Sequence, residues 1–357
     1  MRVLVYEHVT GGGLLLTDDD LASLAPEGDI MIRALLHDLA ESPGVELIAL
    51  RDPRLQADLP ATLLVPQSAR DLWPTFERAL RMSDAVWPIA PEQDGWLERI
   101  TQAVVDNGRM LLNSRAPAVR LTASKLATAR ALAAAGAPVV ATYACAEQVP
   151  LETLAVVVKP DDGAGCVETY VVRDRTRLAL WNVEQAGRTW AYQPLTAGEP
   201  RSLCMLCSEG KARLICCNRQ QIVDEGGKLA FAGVTVNALG DADGTYARLA
   251  RSVAAAMPEL WGHVGVDFLE TPNGPVVLEI NPRMTTACVG LRSALGINLG
   301  ALVLQLPDSL QQALPLPGSG QPVHVQIAHA HLTRPMSLPF VLSPSTRPDA
   351  DLGLIRG

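Results

Sequence analysis

Residues 264–286 read V-G-V-D-F-L-E-T-P-N-G-P-V-V-L-E-I-N-P-R-M-T-T, and the fold follows from how this stretch turns back on itself. Residues 264–270 alternate as a strand does, and residues 275–280 form a second run rich in β-branched side chains. Thr271, Pro272, Asn273 and Gly274 lie between them. Pro suits the first corner of a type I turn, and Gly accepts the left-handed backbone that follows Asn. The spacing predicts a three-residue hairpin loop with Thr271 facing Pro275. Counting back, Asp267 falls opposite Glu279, and Asn281, two residues on, shares its face. Two carboxylates set opposite each other destabilise a sheet, and Arg283 alone is a thin answer to them. A hard divalent cation, which takes oxygen ligands, would neutralise the pair. An acidic rim wetted by solvent is the other reading of the hairpin taken alone.

Lysine usage extends the pattern. Of the 30 Lys and Arg residues, Lys is found only at positions 125, 159, 211 and 228. Lys211 and Lys228 sit in Gly-containing turns, as surface residues do. Lys159 ends the apolar run L-A-V-V-V-K, where an unpaired charge is costly to bury. It is followed by Pro160, Asp161, Asp162, Gly163, Ala164, Gly165 and Cys166, a loop able to fold over phosphates. Lys125 falls in the first turn of an Ala-rich helix that Thr122 or Ser124 can cap and Gly136 stops. The helix dipole disfavours a cation there, which argues for an anion nearby; a solvated lysine is the alternative.

Asp267, the run Glu279-Ile280-Asn281-Pro282-Arg283, both lysines, the glycine loop and the turn Ala135-Gly136-Ala137-Pro138-Val139 together resemble the ATP-grasp superfamily over residues 113–286. The resemblance implies an α/β fold, α+β in parts. It implies a Rossmann-like N-terminal domain over residues 1–115 and a small lid domain over 116–188. A larger antiparallel-sheet domain over 189–305 would hold the metal site, with a C-terminal extension over 306–357. Implied cofactors are ATP and Mg²⁺ (or Mn²⁺), with Asp267, Glu279 and Asn281 on the metal. Lys125, Lys159, Gly163 and Gly165 would hold phosphates, Leu195 the adenine edge and Glu199 the ribose. Pro194 departs from many members and removes one backbone donor from that hinge. Arg283, with Lys159, would face the reacting phosphoryl group. Arg219, Gln220 and Asn237 are expected near the phosphate face, and Arg213 or Arg219 could supply a third basic contact. The implied reaction activates a carboxylate as an acyl phosphate, releases ADP and transfers the acyl group to an amine. Dimers are common in the family, so a homodimer is one arrangement it allows.

Toward the N-terminus, residues 2–7 read as a buried strand, residues 30–40 as a helix and residues 45–50 as a second strand, a βαβ opening. Such sheets bind ligands at the carboxyl ends of their strands, which makes Glu7, Thr10, Gly11, Gly12 and Glu92 candidate substrate contacts beside Arg283. A flexible glycine turn and a solvated acidic loop are the plainer readings. Residues 6–13, Y-E-H-V-T-G-G-G, and 89–95, I-A-P-E-Q-D-G, resemble the tyramine–glutamate ligases of methanofuran-type cofactor synthesis. That implies the γ-carboxylate of glutamate joined to tyramine, or to tyrosine. Another amino-acid or peptide ligase of the superfamily, or a nucleotide-binding regulatory protein without turnover, are the alternatives.

Composition sets the outer limits. A chain of 357 residues calls for two or three subdomains, and 48% hydrophobic with 19% charged residues is globular. A net charge of −8 without a basic patch speaks against a nucleic-acid partner. No apolar run reaches the roughly 18 residues of a bilayer span, and the chain opens on a strand, so a cytoplasmic location without a membrane partner is expected. Seven scattered cysteines fit a reducing compartment. The pair Cys204 and Cys207, in an apolar strand without a second such pair, and the pair Cys216 and Cys217 read as buried structural thiols. His324, His329 and His331 near the C-terminus have metal-like spacing but no acidic or thiol partners in sequence.

Overall fold

The computed structural model describes residues 1–17, 21–163, 165–184 and 188–327. The first third alternates strand and helix: β1 (Arg2–Glu7), α1 (Leu21–Ala40), β2 (Glu46–Leu50), β3 (Thr62–Leu64), α2 (Ala69–Met82), β4 (Ala85–Ile89), α3 (Trp96–Asp106) and β5 (Met110–Leu111). The strands pair in parallel in the order β3-β2-β1-β4-β5. Because β1 is central, its residues 3–7 are buried on both faces, as the unbroken apolar run requires. The order reverses between β1 and β4, so the loops that follow them border one crevice.

The chain after β5 makes α4 (Ala116–Ala123), which the sequence does not mark, and then the expected Ala-rich helix, α5 (Lys125–Ala134). The break is at Ser124, whose side chain accepts from the Ala127 N–H at 3.0 Å and caps α5. Thr122 is spent inside α4, its hydroxyl donating to Ala118 O at 2.9 Å.

Nine strands form the second sheet. In chain order come β6 (Val156–Pro160), β7 (Thr169–Val172), α6 (Arg175–Glu184), β8 (Trp190–Pro194), β9 (Glu199–Ser208), β10 (Lys211–Glu225), β11 (Lys228–Leu239), α7 (Thr245–Ala256), β12 (Gly262–Thr271), β13 (Gly274–Asn281), α8 (Leu291–Leu295), α9 (Leu299–Leu304) and β14 (Val323–Gln326). The order is β13-β12-β9-β10-β11-β7-β6-β8, with β14 on β11. The strands β6, β7 and β8 pack around Val158, Trp181, Trp190 and Tyr192 as a core of their own. They remain continuous with the large sheet through Leu229 of β11 paired with Thr169 of β7. His324 lies on β14 opposite Thr235; His329 and His331 lie outside the described residues. Among the described residues no helix is long and apolar enough to cross a membrane.

One hydrophobic core joins the two sheets. Helix α1 packs Ile32, Leu35, Leu36 and Leu39 between Val3, Val5 and Trp87 of the first sheet and the group of Leu291, Leu299 and Leu302 beside the second. The start of α1 is fitted to the loop after β1. A Cβ on Gly28 would lie 2.4 Å from Oε2 of Glu7, and that carboxylate is fixed by the Thr10 N–H at 2.6 Å and its hydroxyl at 2.7 Å. An interior helical Gly→Ala exchange ordinarily stabilises by about 1 kcal/mol. Here the sign should reverse: Gly28→Ala should cost about 1–3 kcal/mol through overpacking, read as a lower thermal unfolding midpoint, and an unchanged or raised midpoint would refute the fit.

Candidate functional site

The hairpin of β12 and β13 brings Asp267 opposite Glu279 and Gly265 opposite Asn281. The route differs from the expected one. The loop has two residues, Pro272 and Asn273, because Thr271 pairs with Gly274. A bulge between Phe268 and Asp267 then leaves Leu278 without an opposite number and restores the pairing of the acids. Asn281 donates from Nδ2 to Asp267 at 3.2 Å, and Gln220 on β10 donates from Nε2 to the other oxygen of Asp267 at 2.8 Å.

Both candidate lysines converge on Glu279. Lys125 Nζ lies 3.6 Å and Lys159 Nζ 3.7 Å from the same oxygen, Oε2. Lys159 reaches it from the end of β6. Lys125 reaches it because the N-terminus of α5 is moored to the residue after β6: Lys125 N–H donates to Asp161 O at 3.1 Å, and Leu126 N–H donates to the Asp161 carboxylate at 2.9 Å. The Lys125 ammonium also donates to the carbonyls of Asp161 and Gly163.

Electrostatics divide the two acids. Burial opposes the charge of Glu279, but Lys125 and Lys159 outweigh it and hold its carboxyl below the usual range. Burial, and then the facing Glu279, push Asp267 up to about 8, since its partners are amides rather than cations. Burial also holds the Lys159 ammonium below the usual lysine range, against the pull of Glu279. The donors at this spot are two carboxylates and an amide on one sheet face, all oxygen ligands. That set fits a hard cation such as Mg²⁺, which takes one or two carboxylates and fills its shell with phosphate and water oxygens. A cation would also supply the charge that Asp267 lacks.

These residues line a cavity of about 370 Å³. Its floor is the face of the second sheet that carries Ser202, Gln220, Asp267 and Glu279, and Gly163, Gly165 and Cys166 stand over it. Leu195 also lines it, and its N–H is taken by Ala155 O at 2.9 Å. Beside it, Gln193 lines the cavity and donates to Thr142 at 3.0 Å. Strand alternation turns Pro200 and Ser202 toward the cavity and Glu199 away from it. Glu199 is exposed and pairs with Arg201 at 2.9 Å. Asp224, two pleats along β10 from Gln220, lines the cavity where Glu199 does not. Arg213, Arg219 and Asn237 are not among the lining residues; Asn237 is buried and bonded to Ser319 O at 2.7 Å.

At the far end Arg283 lines the cavity, with its guanidinium in a two-point pair to Glu92: Nε to Oε1 and Nη2 to Oε2, both 2.9 Å. Burial works against the charge of Arg283, and Glu92 more than restores it. Glu92 is thereby engaged by protein and is not among the lining residues. Nor are Glu7, Thr10, Gly11 and Gly12. Glu7 and Thr10 are buried against each other. A Cβ on Gly11 would meet Glu7 O at 2.6 Å and one on Gly12 would meet Pro66 at 2.8 Å. The glycine loop therefore packs on protein, which answers the need for glycine there. One acid at this end went unread in the sequence: Glu27 of α1 lines the cavity and accepts from the Thr286 hydroxyl. It carries no motif, and only the placement of α1 beside the segment after Arg283 brings it in.

With this geometry in place, comparison with known proteins gives a consistent result. Residues 122–287 match the family model of the ATP-grasp domain, and residues 45–119 match that of the pre ATP-grasp 3 domain. Among solved structures, an ATP-grasp superfamily protein from Archaeoglobus fulgidus superposes with a TM-score of 0.69 at 20% identity, covering 91% of this chain and 92% of its own. The N5-carboxyaminoimidazole synthetase from Staphylococcus aureus complexed with ADP gives 0.64 at 13% identity, covering 90% and 81%. The L-amino acid ligase from Bacillus licheniformis gives 0.61 at 14% identity, covering 91% and 78%. At these identities the likeness is one of fold. No curated protein matches the chain in sequence.

If the acids and lysines form one charge cluster, a thermal shift will report it. Mg–ATP should raise the unfolding midpoint by several degrees, since saturation at about 100 times Kd is worth about 2.7 kcal/mol. Glu279→Gln should fold and lose that shift. A variant that keeps the full shift would remove Glu279 from the nucleotide site.

Proposed function

Since the chain belongs to the ATP-grasp superfamily, we propose that it is an ATP-dependent carboxylate–amine ligase that releases ADP. The observation that carries the reading is the convergence of Lys125 and Lys159 on Glu279, beside Asp267 and Asn281, in a cavity that also has Arg283 on its wall. Mg²⁺ on Asp267, Glu279 and Asn281 would supply positive charge to the β- and γ-phosphates. Lys125 and Lys159 would give up part of their hold on Glu279 and take phosphate oxygens instead. The loop with Gly163 and Gly165 would cover the phosphates and exclude water from the reactive acyl group. The nucleoside would lie along Gln193, Leu195 and Asp224, at the end of the cavity formed by β8 and β10.

In the reaction a substrate carboxylate oxygen attacks the γ-phosphorus and ADP leaves, giving an acyl phosphate. The amine nitrogen then attacks the acyl carbon, the amide C–N bond forms, phosphate leaves and the amine proton passes to solvent. Arg283, held in orientation by Glu92, would face the acyl oxygens and stabilise the charge that develops on them. Glu27, near Arg283, offers a carboxylate to the incoming ammonium. Every step is met by charge and position, with no side-chain nucleophile.

For substrates, we take glutamate through its γ-carboxylate, with tyramine or tyrosine as the amine, as the first pair to test. Its support is the resemblance carried by residues 6–13 and 89–95, which bear on the cavity through Glu92, the partner of Arg283. Another amino acid or peptide pair would use the same machinery. The consumption of ATP and seven unpaired cysteines fit a cytoplasmic setting.

A panel of acids and amines scored for ADP release, with mass spectrometry of the product, tests the reading. ADP release should need both acid and amine, and the product should be heavier than the acid by the amine less water. Arg283→Lys, which loses the two-point geometry, should lower kcat by about 10²–10³-fold. Mg–ATP binding with no turnover across the panel would favour a regulatory protein instead.

A further inference from the structure

The sheet face that carries Asp267 also carries, two pleats back along β12, a second group of donors with different chemistry. Cys204 on β9, His263 on β12 and Cys288 in the segment after Arg283 bring their ligand atoms within 4.8 Å of one another. Their exposures are 1%, 2% and 5%, so water does not compete for these atoms. Cys216 of β10 stands directly opposite Cys204, set there by a register shift after Leu214. It is fully buried, and its thiol donates to Oδ1 of Asn218 at 3.2 Å, whose amide nitrogen in turn lies 3.7 Å from Cys204 Sγ. The sequence pairs do not predict this group. Cys204 and Cys207 are three residues apart on one strand and so face opposite sides of the sheet. Cys207 and Cys217 join the core under α7, while Cys204 and Cys216 join the core on the other face.

The imidazole decides between a packed thiol cluster and a site. Nδ1 of His263 lies 2.9 Å from the carbonyl oxygen of Arg283. A carbonyl only accepts, so Nδ1 carries the proton and Nε2 presents a bare lone pair. That lone pair is aimed at Cys288 Sγ, 3.1 Å away. A metal-ligating histidine is oriented in this way, its outer N–H given to a backbone carbonyl and its inner nitrogen left for the ion. The group holds sulfur and nitrogen and no carboxylate, the reverse of the oxygen set at Asp267 and Glu279.

We propose that Cys204, His263 and Cys288, joined by Cys216 once its thiol turns from Asn218, form a buried site for a thiophilic divalent cation, with Zn²⁺ the natural occupant. Zinc favours four sulfur and nitrogen donors arranged as a tetrahedron. Each ligating thiol gives up its proton on binding. The ion would tie β9, β10 and β12 to residues 286–290 and, through His263, fix the carbonyl of Arg283. Its role is to position that residue; the ion itself would touch no substrate.

The test is metal content, which needs no turnover and no knowledge of the substrates. The full chain is produced in zinc-supplemented medium, passed through EDTA-containing buffer and analysed by mass spectrometry for metals. We expect about one zinc per chain, with an X-ray absorption spectrum giving sulfur at about 2.3 Å and nitrogen at about 2.0 Å. Cys288→Ser and Cys204→Ser should lose the zinc, and Cys207→Ser, whose thiol faces the other side, should keep it. Should the first two variants fail to fold, wild-type chain refolded from denaturant with stoichiometric zinc should recover better than chain refolded with EDTA. Zinc-free wild type from supplemented medium whose refolding is indifferent to zinc would overturn the proposal. Zinc bound through oxygen ligands, or lost equally in Cys207→Ser, would overturn it as well.

Discussion

A single carboxylate, Glu279, is shared between two buried ammonium groups that reach it from different parts of the chain. Glu279 offsets much of the cost of burying both ammonium groups, and the carbonyls of Asp161 and Gly163 hold Lys125 as well. The pairing obliges the end of β6, the start of α5 and the hairpin of β12 and β13 to meet at one point. Asp161 reinforces the meeting by holding the first N–H groups of α5. Asp267 is left outside this balance, with two amides for company. The cluster therefore has one acid paired with cations and one acid held by amides alone, and this asymmetry is what the proposed metal site rests on.

A second long-range contact makes the site a product of the whole chain. Arg283 and Glu92 are separated by 191 positions and meet through two parallel hydrogen bonds. Glu92 belongs to the loop after β4 of the parallel sheet, and Arg283 follows β13 of the antiparallel one. Helix α1 fills the space between the two sheets and contributes Glu27 beside Thr286. The parallel sheet thus supplies the orientation of the arginine, and in the proposed reading the antiparallel sheet would supply the bed for the phosphates.

How much of this was legible in the sequence depends on the range of each signal. The hairpin acids and Lys159 were readable because alternation and apolar context are local properties of a strand. The parallel sheet followed from alternating strand and helix, and its central strand from an unbroken apolar run. The cap at Ser124 was legible because a hydroxyl just before an Ala-rich run is a local signal, whereas α4, which precedes it, carries no such mark. Glu199 was placed by resemblance, and strand alternation turns it toward Arg201 instead. The glycines at 11 and 12 signalled close approach correctly, but the approaching atoms belong to Glu7, Tyr6 and Pro66. Glu27, Asp224 and the group of Cys204, His263 and Cys288 were beyond reach, since each depends on elements that only the tertiary structure brings together.

The unmatched Leu278 bears on how such a hairpin tolerates change. A three-residue turn with an unbroken ladder, and a two-residue turn with one looped-out residue, deliver the same two acids to the same place. Tip length and ladder irregularity are interchangeable here. A residue added or removed at the tip can thus be absorbed a few residues away by a change in the bulge, with Asp267 and Glu279 still facing each other.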